Sequence, residues 1–189
     1  MFDSEPDLGT MVLALWKSRL STLPEHLLFS RWPIDSRTVF HITDSTFAFT
    51  NLKPVIPGHV LVSPLRVVDR MSELSCVEVQ DLFASAQLVG KAILKAHPHA
   101  DSLTFTVQDG RSAGQTVPHV HVHIIPRWAT DRFNSSSQGN DSVYVEIEKS
   151  EAELAMGESQ HVEPRSKEEM VQEGQELRKI VELIISAAE

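Results

Sequence analysis

Three histidines alternate with aliphatic residues at positions 119–125, in the order His-Val-His-Val-His-Ile-Ile, and this alternation constrains the fold of the 189-residue chain more than any other feature. Successive side chains of a β-strand point to opposite faces, so the histidines share one face while the aliphatic residues face a core. Three of the chain's nine histidines fall within five positions. We therefore interpret Pro118–Pro126 as a buried strand whose polar face carries chemistry.

The remaining strands and the main helices are predicted by local patterns. Two capping boxes of the form Ser-x-x-Glu precede apolar residues at helical spacing, which predicts a long helix over about residues 76–96 and a C-terminal helix over about 166–187. Short runs rich in Val, Phe and Thr between turn residues predict further antiparallel strands. These strands are Thr38–Ile42, Thr46–Asn51, His59–Ser63 and Leu103–Gln108. The sequence therefore predicts an α+β fold.

The chain divides into an extension and one domain. Residues 1–28 form an N-terminal extension with an approximate helical stripe of apolar residues, and residues 29–189 form the domain. Within the domain, residues 129–142 are polar and without periodicity, which predicts a mobile loop.

Composition excludes several classes of protein. The chain has 26 acidic and 17 basic residues, a formal net charge of -9, which argues against nucleic acid or anionic membrane as a partner. No apolar run approaches the ~20 residues that span a bilayer. The single cysteine excludes an intrachain disulfide and suits a reducing compartment. Acidic residues near the N-terminus are atypical of a targeting leader. We therefore expect a cytoplasmic protein, with the nucleus as a second compartment.

The histidine face is compatible with two kinds of chemistry. Imidazoles on one strand can converge on Zn²⁺, but such sites usually include a carboxylate or a cysteine, and this strand offers neither. Alternatively, a neutral imidazole nitrogen can attack phosphorus while neighbouring donors hold the phosphate. The turn Gly114-Gln115-Thr116 supplies an amide and a hydroxyl, and its backbone N–H groups can form an anion-binding nest. This turn favours phosphate chemistry.

The sequence resembles the histidine triad family, whose signature alternates three histidines with apolar residues as positions 119–125 do. Within that family it is most similar to the fragile histidine triad (Fhit) branch, the diadenosine triphosphate hydrolases. The similarity runs from about Phe29 to the C-terminal helix. Matching segments lie at 51–62, 108–110, 113–117 and 140–144.

This resemblance implies a fold, a reaction and partners. The implied fold is a five-stranded antiparallel sheet with a long helix and a C-terminal helix, two such sheets being joined in a homodimer. The implied reaction cleaves diadenosine triphosphate to AMP and ADP, and diadenosine tetraphosphate to AMP and ATP, through a nucleotidyl-histidine on His121. Mg²⁺ or Mn²⁺ would enter as a complex with the substrate, and no metal held by the protein is expected.

The resemblance also assigns catalytic roles to individual residues. His121 would attack the α-phosphorus, while its second ring nitrogen donates to a backbone carbonyl near His119. His123 would contact the α-phosphate, and Gln108 would orient the β-phosphate and the leaving group. His119 and His59 would support the nucleophile from behind, although an ordinary sheet histidine is an equally supported interpretation of His59.

Further residues are expected to bind the substrate without reacting. Gln115 and Thr116 would hold the α-phosphate, Asn51 would bind the ribose, and Trp32 is expected in the core. Arg127 and Arg132 could meet distal phosphates, although solvated surface charges are the commoner case. The substrate segment also includes Gly114 and Val117, and the candidate adenine slot consists of Phe29, Ile34, Phe49 and Leu61.

Two other functions stay open at this point. One is a dinucleotide-binding signalling module with slow turnover, because tight binding would use the same residues. The other is a metal-binding protein, which the histidines alone could support. Retention of His121 favours the hydrolase over the signalling module, and metal analysis of the purified protein would decide the second alternative.

Overall fold

A computed structural model of the chain describes residues 8–24, 27–134, 141–156 and 163–187. Within these ranges the helices are α1 (Leu8–Ser21), α2 (Cys76–Ala96), α3 (Ser142–Met156) and α4 (Lys167–Ser186). The strands are β1 (Leu28–Phe29), β2 (Trp32–Pro33), β3 (Val39–Ile42), β4 (Thr46–Thr50), β5 (Val60–Pro64), β6 (Ser102–Thr106) and β7 (Val122–Arg127). Of the predicted mobile loop 129–142, residues 135–140 lie outside the described residues.

Five strands form one antiparallel sheet in the order β3-β4-β5-β7-β6, and β1 and β2 form a separate hairpin. The prediction of an α+β fold around a five-stranded sheet is confirmed. The histidine strand begins later than predicted, at Val122, where it pairs with Val62 of β5. Before that point Val120 is bonded elsewhere: its N–H donates to the carbonyl of Val68, and its carbonyl accepts from Ser63 Oγ.

One face of the sheet packs against α2 and α4. The predicted alternation holds here, because Val120, Val122 and Ile124 lie in the main hydrophobic cluster with residues of α2 such as Leu82 and Val89. Full burial of each such side chain contributes about 1.5–3 kcal/mol to folding. Helix α2 has the predicted bounds, and its capping box at Ser75 is formed.

Helix α1 packs against β3 and α4. Its Trp16 is buried, and Trp16 Nε1 donates to His41 Nδ1 over 3.2 Å. On its other ring nitrogen, His41 bonds Ser85 Oγ of α2 at 3.2 Å. This buried chain of hydrogen bonds joins the N-terminal extension to the sheet and to α2.

Helix α3 was not predicted, and it lies on the histidine face of the sheet. Its Val143 and Ile147 pack with Val55, Ile56 and Ile125 in a separate small cluster, which also includes Phe133. Ile125 follows the histidines on the same face of β7, so α3 covers the chemistry-bearing side. Within the described ranges, each helix is too short or too polar to span a lipid bilayer.

Candidate active site

The three histidines of the signature are fully buried, and the main chain fixes the ring of the central one. His121 Nδ1 lies 2.7 Å from the carbonyl oxygen of His119. A carbonyl only accepts, so Nδ1 carries the proton and donates it. In the neutral ring this leaves the lone pair on Nε2. The acceptor predicted near His119 is thus the backbone carbonyl of His119 itself.

His119 is held by backbone groups on both ring nitrogens. Its Nδ1 accepts from the N–H of Ser30 at 2.9 Å, and its Nε2 donates to the carbonyl of Pro64 at 3.0 Å. Burial lowers the pKa of His119 to about 4, so the ring is neutral near pH 7. These bonds place His119 behind the central histidine.

His59 and His123 form an ordered imidazole pair. The N–H of Val55 donates to His59 Nδ1 at 3.2 Å, so His59 carries its proton on Nε2, which lies 3.0 Å from His123 Nδ1. His123 therefore accepts on Nδ1 and presents an Nε2–H to the site. Burial lowers the pKa of both rings. His59 thus contacts His123 and not the predicted nucleophile His121 directly.

Glu151 of α3 reaches this site, and sequence reasoning missed it. Its Oε1 lies 2.8 Å from His121 Nε2 and 3.2 Å from His123 Nε2, the second contact lacking hydrogen-bond geometry. Its Oε2 accepts from Thr116 Oγ1 at 2.8 Å. Two atoms with only lone pairs repel at such a distance, so a proton lies between His121 and Glu151.

The pKa values place that proton on the histidine. Burial disfavours charge on both groups, but the attraction between them exceeds this effect: the pKa of His121 is raised and that of Glu151 lies well below its ordinary value. The two groups form an imidazolium–carboxylate pair.

This carboxylate removes one argument made from the sequence. A metal site was disfavoured because the histidine strand itself offers no carboxylate, and Glu151 supplies one from α3. His121, His123 and Glu151 each offer one donor atom, and these atoms lie within 4.8 Å of one another. Glu151 was missed because nothing distinguishes it in sequence from the surface glutamates of the same helix.

The glycine-rich turn before the histidines is arranged differently from the prediction. The N–H groups of Gly114 and Gln115 donate to the carbonyls of Arg111 and Gly110, so they do not form the predicted nest. Gln115 Nε2 donates to the carbonyls of Asp69 and Val117, and its Oε1 accepts from the N–H of Gly110. In this conformation the side chain of Gln115 supports the turn.

Gly114 has a specific reason to be glycine. Its φ of +84° is in the left-handed region, and a Cβ built on it would lie 2.5 Å from Gln108 Nε2. The absent side chain leaves the space that Gln108 occupies. Gln108, predicted to orient the leaving group, is thus positioned by the turn that leads to the histidines.

An open cavity of about 510 Å³ lies beside the histidines. The predicted adenine residues Phe29, Ile34, Phe49 and Leu61 line it together with Trp32, Asn51 and residues of α4 and its approach. Trp32 was expected in the core, and this is wrong: it is half-buried and stacks beneath Arg31. The two-residue strand β2 is too short to bury it.

Phe29 and Asn51 connect this cavity to the histidines. The ring of Phe29 packs edge-on against His121, with centroids 5.1 Å apart. Asn51 Oδ1 accepts from the N–H of Lys53 at 3.0 Å, and its Nδ2 lies 3.4 Å from the ring nitrogens of His59. Asn51 therefore lies between the apolar cavity and His59.

The two arginines considered for distal phosphates have other contacts. Arg127 is buried and pairs with Asp131, with Nε and Oδ2 2.7 Å apart, so it is not the solvated charge considered from the sequence. Arg132 is more exposed, packs over Phe133 and pairs with Glu146 at 3.3 Å. Arg127 thus joins β7 to Asp131, and Arg132 joins the residues after β7 to α3.

The fold and this site define a class of protein. The family model for the HIT domain matches residues 34–130, and the chain belongs to the HIT domain family. It is 46% identical to a bis(5'-adenosyl)-triphosphatase of Dictyostelium discoideum over 82% of this chain and 92% of that protein. It is 49% identical to an asymmetrical bis(5'-nucleosyl)-tetraphosphatase of Schizosaccharomyces pombe over 70% of this chain and 69% of that protein.

A solved structure gives the same result. The chain resembles the Caenorhabditis elegans NitFhit protein with a TM-score of 0.62 and 40% identity, covering 82% of this chain. It spans only 30% of the length of that protein. The resemblance to the fragile histidine triad branch is confirmed.

Proposed function

We propose that the chain hydrolyses dinucleoside polyphosphates, releasing AMP from diadenosine triphosphate and diadenosine tetraphosphate, with His121 as the nucleophile. The observation that carries this proposal is the hydrogen bond from His121 Nδ1 to the carbonyl of His119. It leaves the Nε2 lone pair of a neutral ring directed at the position where Thr116 and His123 also converge. The names of relatives at 46% and 49% identity support the same substrate class.

In the first chemical step, His121 Nε2 forms a bond to the α-phosphorus. The bond from that phosphorus to the bridging oxygen breaks, and ADP or ATP leaves with the bonding electrons. The ring becomes cationic, and the carbonyl of His119, 2.7 Å from Nδ1, stabilises the Nδ1–H as that charge develops. The Nε2–H of His123 and the hydroxyl of Thr116 would donate to the nonbridging oxygens.

In the second step, water attacks the phosphorus of the nucleotidyl-histidine and releases one proton to the solvent. The P–N bond breaks, AMP leaves, and the electron pair returns to His121 Nε2. Two displacements of moderate difficulty thereby replace one difficult displacement. The ring fixed by the main chain presents the same nitrogen in each cycle.

The cavity lined by Phe29 and Leu61 suits an adenine ring, because it is apolar and adjoins Asn51. An amide both donates and accepts, so Asn51 can bind ribose hydroxyls. Mg²⁺ or Mn²⁺ would accompany the polyphosphate and neutralise the leaving group. Gln108 lies beside Gly114 and would orient that group.

We also expect a homodimer in the cytoplasm, with the nucleus as a second compartment. Edge strand β6 exposes Phe105 and is paired only with β7 in the described sheet, which suits contact with a second copy. Light scattering on a sizing column measures the oligomeric state directly.

AMP release from diadenosine triphosphate with Mg²⁺ tests the reaction. His121→Asn should lower kcat/KM by about 1,000-fold or more, because it removes the nucleophile. The exposed His99 provides a matched control, and His99→Asn should leave the rate unchanged. Cleavage undiminished in His121→Asn would refute the nucleophile. No cleavage by the wild type, with nucleotide binding intact, would instead favour the signalling module.

A further inference from the structure

Glu151 lies where the proposed mechanism puts the substrate. The two oxygens of its carboxylate contact Thr116 Oγ1, His121 Nε2 and His123 Nε2 at 2.8, 2.8 and 3.2 Å. These are the groups proposed to hold and attack the α-phosphate. A carboxylate and a phosphate both present anionic oxygens to such donors. Glu151 therefore satisfies, from within the chain, the same donors that an α-phosphate would require.

The space around this carboxylate is filled. The cavity next to Glu151, lined also by Ile147, Ser150 and Asn51, has a volume of about 20 Å³, which is room for about one water molecule. The adjoining apolar cavity has about 510 Å³. The apolar cavity is thus open to a nucleoside, whereas Glu151 of α3 occupies the position that the attached phosphate would take.

The docked helix also disables the nucleophile. With Nδ1 donating to the carbonyl of His119, His121 Nε2 faces Glu151 Oε1 at 2.8 Å and is engaged in the hydrogen bond between them. An Nε2 engaged with Glu151 cannot approach phosphorus. The contact therefore blocks the reaction in two ways, by occupying the phosphate position and by engaging the attacking atom.

The packing of α3 allows it to leave without disrupting the sheet. Val143 and Ile147 belong to a small cluster separate from the main core, and Ser150 Oγ donates to the carbonyl of Lys53 at 2.9 Å. Most of these partners belong to the connection between β4 and β5 and to the segment after β7. Elements held by small peripheral clusters open at lower free energy than a central sheet does.

We propose that α3 is an autoinhibitory helix whose Glu151 carboxylate occupies the α-phosphate position, so that α3 must undock before a dinucleoside polyphosphate binds. This inference rests on the proposed function of the histidine site. The apparent affinity for nucleotide is then the intrinsic affinity multiplied by the fraction of molecules in which α3 is undocked. Weakening the Glu151 contact should raise both affinity and kcat/KM.

The test compares the full-length wild type with Glu151→Gln and with a matched control. Glu148→Gln makes the same charge change on the same helix at an exposed position. Calorimetry with AMP as the probe should give about tenfold tighter binding to Glu151→Gln, because one charge-assisted bond to the docked helix is lost. Glu148→Gln should bind AMP as the wild type does. Equal AMP affinity in all three proteins would overturn the proposal.

Tighter AMP binding to Glu151→Gln could also arise because a negative charge near the phosphate is removed. Hydrogen exchange distinguishes this explanation from undocking of α3. AMP added to the wild type should speed amide exchange within Ser142–Met156, because the phosphate displaces the helix. Tighter binding to Glu151→Gln without faster exchange in α3 would overturn the proposal. Stoichiometric zinc in the wild type that is lost in Glu151→Gln would also overturn it, since Glu151 would then be a metal ligand.

Cleavage assays on the same proteins distinguish the two proposals. A higher kcat/KM for Glu151→Gln on diadenosine triphosphate supports both. If no variant cleaves the substrate while AMP still binds more tightly to Glu151→Gln and speeds exchange in α3, the hydrolase proposal fails and the autoinhibitory helix stands. If the wild type cleaves and Glu151→Gln is no faster, the helix proposal fails alone.

Discussion

The histidine strand and helix α3 meet at one site but are held there in different ways. His119 and His121 bond main-chain groups, namely the carbonyls of Pro64 and His119 and the N–H of Ser30, and His123 is held through His59, which bonds the N–H of Val55. Among the side chains that the structure describes in α3, it is that of Glu151 that bonds them. Contacts to the main chain persist for as long as the sheet is folded, whereas a side-chain carboxylate can be replaced by another anion. The strand is thus the permanent part of the site, and the helix is the exchangeable part.

The largest expected effect comes from a matched pair of isoleucines, one in each region. Both are fully buried, Ile124 in the main core and Ile147 beneath α3. Ile124→Ala should lower the free energy of unfolding by about 2–5 kcal/mol, because it opens a cavity in the sheet. Ile147→Ala should cost less than half as much, because the loss cannot exceed the docking free energy of α3, and it should raise kcat/KM. Urea denaturation followed by tryptophan fluorescence measures the first quantity.

Equal losses of unfolding free energy in Ile124→Ala and Ile147→Ala would contradict this comparison. They would mean that α3 unfolds together with the sheet and is not a separately docked element. A fall in kcat/KM for Ile147→Ala would point in the same direction.

A change of pH should have a smaller effect on the free energy of unfolding, and this effect arises in the sheet region. Burial, opposed by Asp81, lowers the pKa of His41 to about 4, whereas in the unfolded chain it is near 6.5. The unfolded state therefore binds more protons between these values, and stability is lost as pH falls from 6.5 towards 4. His41 alone should contribute a loss of about 2 kcal/mol between pH 7 and pH 5. His121 contributes a pH dependence of stability with the opposite sign, because Glu151 raises its pKa.

Urea denaturation at the two pH values measures this loss. His41→Gln should be less stable than the wild type at pH 7, yet should show a shallower pH dependence. His119 shares the low pKa and keeps part of the dependence in the variant. An unchanged slope in His41→Gln would show that His41 does not contribute to it.

The smallest effect concerns the helix that was predicted most closely. Ser75 Oγ accepts from the N–H of Glu78, and Glu78 accepts from the N–H of Ser75. Ser75→Ala should lower the free energy of unfolding by about 1 kcal/mol, because it removes the N-terminal cap of α2. Ser72→Ala, at an exposed position nearby, should change it by less than about 0.5 kcal/mol. Kinetic constants should be unaffected by either change.

Local chemistry explains what the sequence could predict. The alternation at 119–125 has a period that only a strand satisfies, and the boxes at Ser75 and Ser166 bond within one turn, so both patterns are visible in the sequence. The carbonyl that fixes His121 is two residues away along the chain, in the segment that leads into β7. Each of these features depends on neighbours in the chain.

The parts that were missed depend on distant partners. Val143, Val145 and Ile147 alternate as strand residues do, so α3 lacks a clear helical pattern, and its position is set by contacts with residues such as Val55. Glu151 meets Thr116 and His121 across 35 and 30 residues of chain. Trp32 was placed in the core on residue type alone, but the short hairpin leaves it at the rim of a cavity.

The acceptor for His121 Nδ1 has a genetic consequence. In a Ser-His-Asp triad the ring is oriented by a carboxylate, which one codon change can remove. Here the oxygen belongs to the peptide unit of His119, and every amino acid at that position supplies it. Substitution at 119 can disturb the path of the strand, but it cannot delete the acceptor. The backbone therefore sets the tautomer of His121, whichever amino acid codon 119 specifies.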